Sequence, residues 1–274
     1  MHDIRKILKY SIDELEPYIN WLYFYHAWGL SGKPAEEKLK LRGEAESLLA
    51  QWKGKCFSHA VFLITDANSD GDDIVVGNTR LPMLRQQQPR TPGGYCLSLA
   101  DFIRPLSQGV PDRIGMFAVT VDRNFPAHYA DDPYLRMMAQ VLCDRLAEGT
   151  AELMHLQVRR TYWGYAPDEH LTMSELHQEL YQGIRPAVGY PSMPDTSMNF
   201  LLDSLLHFSD IGISLTDTGM MKPHASVSGL MIAHPKSRYF ELGKIGPDQL
   251  ADYARRRGLS VDTMRRFLAS SLRE

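Results

Sequence analysis

The sequence contains no long hydrophobic run. Its longest apolar stretches, such as residues 60–65 and 229–233, are far shorter than the roughly 20 residues that span a bilayer. The N-terminal residues also lack the apolar block of a signal peptide. We therefore expect a cytoplasmic protein that does not associate with membranes. Cysteine is scarce: Cys56, Cys96 and Cys143 are widely spaced and form no CxxC pair, which is typical of free thiols in a reducing compartment.

An excess of charge of one sign is also missing. The 30 basic and 33 acidic residues leave a net charge of −3, which argues against a broad electrostatic nucleic-acid binder. The sequence has no G-x-G-x-x-G, no P-loop and no H-E-x-x-H, so nothing supports a dinucleotide, a nucleotide-phosphate or a zinc site of these types. Residues 66–71 match the first half of a calcium-binding loop, but Gly77 replaces its final glutamate. This stretch is therefore predicted to be a hairpin turn.

What is present is an ordinary globular composition. Of the 274 residues, 44% are hydrophobic and 23% are charged. A chain of this length can bury a core without disulfides or a metal. We find no repeat and no clear linker, which predicts a single domain over residues 1–274 with a helical N-terminal entry segment over about residues 1–55.

The pattern of the elements predicts an α+β fold. Capping boxes at Ser11 and Thr172 each indicate the start of a helix. Helices are predicted over residues 11–28, 35–54, 132–163, 172–182, 196–206, 247–257 and 261–272. Strands are predicted over residues 58–66, 73–77, 97–103, 114–121, 227–234 and 238–245. The last two are predicted to pair as a hairpin. Because the elements do not alternate strictly as βαβ units, an antiparallel sheet is favoured.

Three segments carry a resemblance to a known family. They are residues 183–195 (GIRPAVGYPSMPD), 160–168 (RTYWGYAPD) and 225–235 (ASVSGLMIAHP). Together they resemble the S-adenosylmethionine-binding activation domain of cobalamin-dependent methionine synthase, and the similarity extends over roughly residues 10–270. The resemblance implies a C-shaped α+β domain with a twisted antiparallel sheet and surrounding helices.

The resemblance also implies a function. In that family the parent enzyme transfers a methyl group to homocysteine through cobalamin, which is occasionally oxidised to inactive cob(II)alamin. The activation domain then presents S-adenosylmethionine, a flavodoxin-type protein supplies one electron, and the sulfonium methyl group remethylates the cobalt. The implied partners of this chain are thus a cobalamin-binding methionine synthase module and a flavodoxin-type electron donor. No catalytic side chain and no metal ligand are expected.

The resemblance further implies a ligand site. Its residues correspond here to Asp101, Glu148, Arg185, Ala187, Gly189, Tyr190 and Tyr239. These residue types suit the ligand, because a guanidinium can hold the α-carboxylate in a bidentate fork and carboxylates suit the ammonium and sulfonium groups. The two tyrosine rings can face the adenine or the sulfonium. Gly189 permits close approach of the backbone.

Without the resemblance, the same residues have simpler interpretations. Arg185 would be a solvated loop arginine, and Glu148 would belong to a charged helix face with Asp144, Arg145 and Glu152. Asp101 would be a turn carboxylate, and the tyrosines would be packing residues.

Three hypotheses for the function follow. The favoured one is a stand-alone activation component that works on a partner carrying cobalamin and does not turn over alone. The others are an excised domain of a full-length methionine synthase and a non-catalytic S-adenosylmethionine-binding or docking protein for another corrinoid system.

Overall fold

The structure is a computed structural model, and it describes residues 2–90, 93–122 and 125–273. The strands are β1 (Ile4–Ser11), β2 (Phe57–Asp70), β3 (Asp73–Val76), β4 (Thr79–Pro82), β5 (Asp112–Val121), β6 (Ser214–Leu215), β7 (Met221–Lys222) and β8 (Ser226–Met231). The helices are α1 (Ile12–Leu15), α2 (Trp21–Ala27), α3 (Ala35–Trp52), α4 (Pro133–Gln157), α5 (Met173–His177), α6 (Met198–Leu206), α7 (Pro247–Arg257) and α8 (Val261–Phe267). Short 3₁₀ turns connect several of them, and a π-helical turn at Val158–Tyr162 extends α4.

The main sheet is antiparallel, and the long strand β2 is its centre. The strand order is β4-β3-β2-β5-β8, and β1 pairs with the first part of β2 on the side where β3 pairs with its end. The register pairs Phe62 with Phe117, and Phe117 in turn with Gly229. The α+β class is thus confirmed, with a curled antiparallel sheet and helices around it.

Both faces of the sheet are buried. Because side chains alternate along a strand, Ala60, Phe62 and Ile64 pack on one face under α1–α4, while Val61 packs on the other with α6–α8. This double burial explains the apolar run at residues 60–64 of β2 and the run at residues 114–119 of β5. Among the described residues, no helix has both the length and the apolar character that crossing a bilayer requires.

Local signals predicted many of the boundaries. The capping boxes at Ser11 and Thr172 are present, and Asp132 caps α4 through the main-chain N–H groups of Tyr134 and Leu135. The hairpin predicted at residues 66–71 is present, but its turn is shorter, because β2 continues to Asp70 and turns at Gly71 into β3. The predicted helix over 11–28 is divided into α1, a 3₁₀ turn with Pro17 and α2, which begins at Asn20 as its cap.

Two predicted strands are wrong, and with the second of them the predicted hairpin of residues 227–234 and 238–245. Four strands, β1, β4, β6 and β7, were not predicted. Residues 97–103 form a 3₁₀ turn (Leu99–Phe102) capped by Ser98, because the capping box of Ser98 and Asp101 outweighs a short apolar run. Residues 238–245 form no strand. Their main chain is held instead by long-range hydrogen bonds, such as that from the amide of Leu242 to the carbonyl of Pro191. The longest of the four strands that were not predicted is β1, which pairs with β2 and lies inside the segment over about residues 1–55 that was predicted to be helical, so the helical part of that segment begins only at α1.

Candidate functional site

A cavity of about 670 Å³ lies between α4 and the loop formed by residues 183–195. The end of α2, the helix α5 and residues 239–241 complete its walls. Five of the seven predicted ligand residues line it: Glu148, Arg185, Ala187, Tyr190 and Tyr239. Elements far apart in the sequence therefore bring most of the predicted site together.

Arg185 and Glu152 form an ion pair inside this cavity. Nη2 of Arg185 donates to Oε2 of Glu152 at 3.0 Å, and the two side chains are 14% and 11% exposed. Burial by itself would lower the pKa of Arg185, but the Glu152 charge and the hydroxyls of Tyr181 and Tyr239 outweigh it and raise the pKa above its usual value. Arg185 is therefore a permanent cation in a partly desolvated wall.

Each member of this ion pair also has one buried polar atom that is not hydrogen-bonded within the described residues. Nη1 of Arg185 and Oε1 of Glu152 are buried and have no hydrogen-bond partner among the described residues. Nε2 of His177, which also lines the cavity, is likewise buried and has no hydrogen-bond partner among the described residues. An unsatisfied buried polar group costs about 1–3 kcal/mol, so these atoms mark a place where a polar ligand would stabilise the protein.

Tyr239 fixes the main chain at Arg185. Its hydroxyl oxygen accepts a hydrogen bond from the amide of Arg185 at 2.9 Å and lies 3.5 Å from the hydroxyl oxygen of Tyr181. Burial raises the pKa of Tyr239, so the phenol stays neutral. The segment around residue 239 was predicted as a strand, yet it places this tyrosine beside the loop without strand pairing.

Glu148 and Tyr190 line the cavity near one another. Burial raises the pKa of Glu148, against the opposing charge of Arg145, whose Nη1 donates to Oε2 of Glu148 at 2.7 Å. Burial and then the Glu148 charge raise the pKa of Tyr190. Tyr190 is nevertheless 54% exposed, and Tyr23, exposed to 55%, also lines the cavity. An aromatic and acidic rim therefore borders solvent.

The loop itself is shaped by Gly189 and anchored by β8. Gly189 has φ of +88°, a conformation that L side chains rarely adopt, and its amide donates to the carbonyl of Met193 at 2.8 Å. This tight turn presents Tyr190, whereas Gly189 is not among the lining residues. Ala187 pairs with Gly229 of β8 as an isolated bridge, which confirms that the Pro/Gly segment is irregular yet fixed.

Asp101 lies outside the cavity lining. Its two carboxylate oxygens accept hydrogen bonds from Nη1 and Nη2 of Arg85 at 2.8 and 2.6 Å, and the amide of Ser98 donates to it as well. In this structure it acts as a cap and an ion-pair partner, and its contact with a ligand stays a prediction.

Glu152 is the main cavity residue that sequence reasoning missed. The signal was available, because Glu148 and Glu152 are four residues apart on α4 and a helix places such residues on one face. That spacing was assigned to a charged surface. The structure buries the face against Arg185, since the loop folds over it.

Comparisons with known proteins identify the family. The family model described as "Vitamin B12 dependent methionine synthase, activation domain" matches residues 11–258. The chain is also similar to the solved structure titled "Crystal Structure of the MetH Reactivation Domain bound to AdoHcy", with 35% sequence identity and a TM-score of 0.93. That match covers 99% of this chain and 91% of the other. This protein therefore belongs to the family of activation domains of vitamin B12-dependent methionine synthase.

Proposed function

We propose that this chain binds S-adenosylmethionine in the cavity between α4 and the 183–195 loop. The observation that carries the proposal is the pair of spare buried atoms, Nη1 of Arg185 and Oε1 of Glu152. The amino-acid end of the ligand carries an α-carboxylate and an α-ammonium group. The guanidinium suits the first and the carboxylate the second, as charge-assisted hydrogen bonds.

The rest of the cavity suits the rest of the ligand. Its volume lies within the range of small-molecule sites. The acidic and aromatic rim of Glu148 and Tyr190 supplies a negative charge and a ring face, both of which attract a sulfonium cation. Because this rim is next to solvent, the reactive methyl group would point towards a docking partner.

We further propose that the methyl group passes to cob(II)alamin on a methionine synthase module, as in the family. An external donor of the flavodoxin type would first supply one electron to the cobalt, which would then provide the electron pair of the new cobalt–carbon bond. The S–CH₃ bond would break with its own electron pair staying on sulfur. No general base is needed, because the sulfonium is already an activated methyl donor. The residues of this chain bind and orient the donor, which is the role of positioning in catalysis.

Calorimetric titration with S-adenosylmethionine and AdoHcy (S-adenosylhomocysteine) tests the binding proposal. We expect saturable binding of both. Arg185→Ala should weaken it at least tenfold, which corresponds to about 1.4 kcal/mol. Arg136→Ala, at an exposed position on α4 outside the cavity, is the control and should bind like the unmodified protein. An absence of binding heat in the unmodified protein would refute the assignment.

A reconstitution tests the function. The chain is mixed with a methionine synthase fragment that carries cob(II)alamin and lacks an activation domain, together with a one-electron reductant and S-adenosylmethionine. We expect methylcobalamin absorbance only when all components are present, which would support action as a separate component. Binding without methylation would favour the non-catalytic S-adenosylmethionine-binding protein instead.

A further inference from the structure

The segment at residues 160–168, which carries part of the family resemblance, does not line the ligand cavity. Trp163 and Tyr165 instead line a separate cleft of about 500 Å³. The preceding residue, Arg159, lies in the π-helical turn that ends α4, and such turns are frequent at functional sites. The contacts of Arg159 connect this segment to the cavity.

Arg159 is fully buried, and each of its three guanidinium nitrogen atoms has a hydrogen-bond partner. Its Nε and Nη2 donate to the two carboxylate oxygens of Glu169 at 2.8 and 2.7 Å. Its Nη1 lies 2.8 Å from Nδ1 of His155, which must accept because a guanidinium only donates. The side chain of Arg159 is 0% exposed and that of Glu169 is 7% exposed. Glu169 thus holds Arg159 through two parallel hydrogen bonds in a buried environment.

Arg159 also contacts Tyr181, which lies towards the ligand site. The Cζ atom of Arg159 is 4.0 Å from the ring centroid of Tyr181, and the His155 ring packs edge-on against the same ring with centroids 5.1 Å apart. The hydroxyl oxygen of Tyr181 is 3.5 Å from that of Tyr239, which accepts the hydrogen bond from the amide of Arg185. A continuous set of contacts thus runs from Glu169 to the backbone of the cavity arginine.

A second contact joins the segment to the start of the same loop. The hydroxyl of Tyr165 lies 3.3 Å from Nε2 of His155. A Cβ atom at Gly183 would lie 2.9 Å from that hydroxyl and 2.6 Å from the carbonyl oxygen of Ile232. The segment therefore packs directly against the chain two residues before Arg185.

We propose that Arg159 is a positioning residue for ligand binding. Arg159, held by its ion pair with Glu169, contacts the ring of Tyr181 and so fixes the position of the Tyr239 hydroxyl. That hydroxyl in turn holds the main chain of Arg185 so that its free Nη1 meets the α-carboxylate of the ligand. The inference rests on the proposed function. A buried ion pair is often no more stabilising than an apolar pair of similar volume, which favours a role in geometry over one in stability.

The test compares two ligands that differ at the group Arg185 would hold. AdoHcy has the amino-acid end, and 5′-methylthioadenosine lacks it. The double variant Arg159→Met/Glu169→Leu removes both charges together, so that neither is left unpaired. The milder variant Tyr181→Phe keeps the ring and removes only the hydroxyl. Thermal unfolding of each variant establishes that it is folded.

We expect the dissociation constant for AdoHcy to rise at least fivefold in the double variant and at least threefold in Tyr181→Phe. The dissociation constant for 5′-methylthioadenosine should stay within twofold of its value in the unmodified protein. The matched control is Arg256→Met/Asp73→Leu, since Arg256 also combines a buried carboxylate partner with a tyrosine ring, outside the cavity lining. It should leave both constants unchanged.

Equal weakening of both ligands would overturn the inference, because it would indicate general loosening. Unchanged AdoHcy binding in both Arg159/Glu169 and Tyr181 variants would overturn it as well. If Arg185→Ala still lost AdoHcy binding in that case, the proposed function would stand, and only the positioning role of Arg159 would be rejected. If the unmodified protein bound no AdoHcy, the proposed function would fail first.

Discussion

Buried polar atoms define the chemistry of this protein at the scale of single residues. Arg185 and Glu152 share one hydrogen bond, and each has one buried atom without a partner among the described residues, whereas all three guanidinium nitrogen atoms of Arg159 have a partner. His155 lies between Arg159 and Tyr165 and is fully buried. Burial, together with the charges of Arg185 and Arg159, lowers the pKa of His155 well below its ordinary value. The imidazole is therefore neutral in the folded protein.

The neutral state of His155 predicts a pH dependence of stability. Below the unfolded pKa of about 6.5, the unfolded chain binds a proton that the folded protein does not. The contribution of His155 to the free energy of unfolding should therefore fall as the pH falls, by up to about 1.4 kcal/mol per pH unit. Denaturant unfolding at pH 7.5, 6.0 and 5.0 measures this.

The variant His155→Gln separates this effect from the titration of other groups. Its free energy of unfolding should decline less between pH 6.5 and 5 than that of the unmodified protein. His170→Gln, at an exposed position, should show the unmodified slope. Identical slopes for His155→Gln and the unmodified protein would contradict the neutral buried state.

At the scale of elements, the close approach of β8 to the 183–195 loop determines where the ligand residues lie. The carbonyl of Ser228 accepts a hydrogen bond from the amide of Val188, and the carbonyl of Pro186 accepts one from Leu230. A Cβ atom at Gly229 would lie 2.2 Å from the carbonyl oxygen of Pro186 and 2.9 Å from Cα of Ala187. Since both are backbone atoms, no side-chain rotation can relieve such a contact.

We predict that Gly229→Ala displaces this loop. Overpacking of this kind costs about 1–3 kcal/mol, and the displaced Ala187 and Arg185 should bind AdoHcy more weakly. Chemical denaturation and calorimetry measure the two effects. Gly43→Ala in α3 is a suitable control, because a Cβ atom there meets nothing within 4 Å. It should stabilise the protein by up to about 1 kcal/mol. Unchanged stability of Gly229→Ala would be evidence against a rigid loop.

Elements held by contacts between neighbouring residues could be predicted from the sequence, and elements held by contacts between distant residues could not. The capping boxes at Ser11 and Thr172 and the hairpin turn at Gly71 depend on neighbouring residues, and the sequence indicated them correctly. Strand β1 depends on pairing with residues 57–64, which lie 46 to 60 positions away, and its half-exposed pattern gave no signal of its own. Residues 238–245 are held by single long-range hydrogen bonds, which no periodicity records.

At the scale of the whole molecule, the cavity lies where two halves of the core meet. Ala151 on its α4 side belongs to the cluster packed under α1–α4. Tyr239 packs against the other cluster, on the opposite face of the sheet. A ligand held by Glu152 and Arg185 would therefore join two parts of the core, and binding should stabilise the complete fold.

We predict that AdoHcy raises the unfolding temperature. At a free concentration of 100 times its dissociation constant, a ligand that binds only the folded state stabilises it by about 2.7 kcal/mol. For a chain of this size that corresponds to a shift of roughly 5 °C. Scanning calorimetry should detect one transition that moves with ligand concentration. Arg185→Ala, with a dissociation constant at least ten times larger, should show at most about half of this shift at the same concentration. A concentration-independent unfolding temperature in the unmodified protein would exclude specific binding.

The sequence by itself determined the α+β class, most helix boundaries, the family and five of the residues that line the cavity. These features follow from local patterns and from short motifs. Only the tertiary structure paired Arg185 with Glu152, 33 positions apart, and with Tyr239, 54 positions apart. It also placed Asp101 with Arg85 instead of in the cavity. The physical reason is that a buried charge takes its partner from whichever element packs against it, and that packing is a property of the folded molecule.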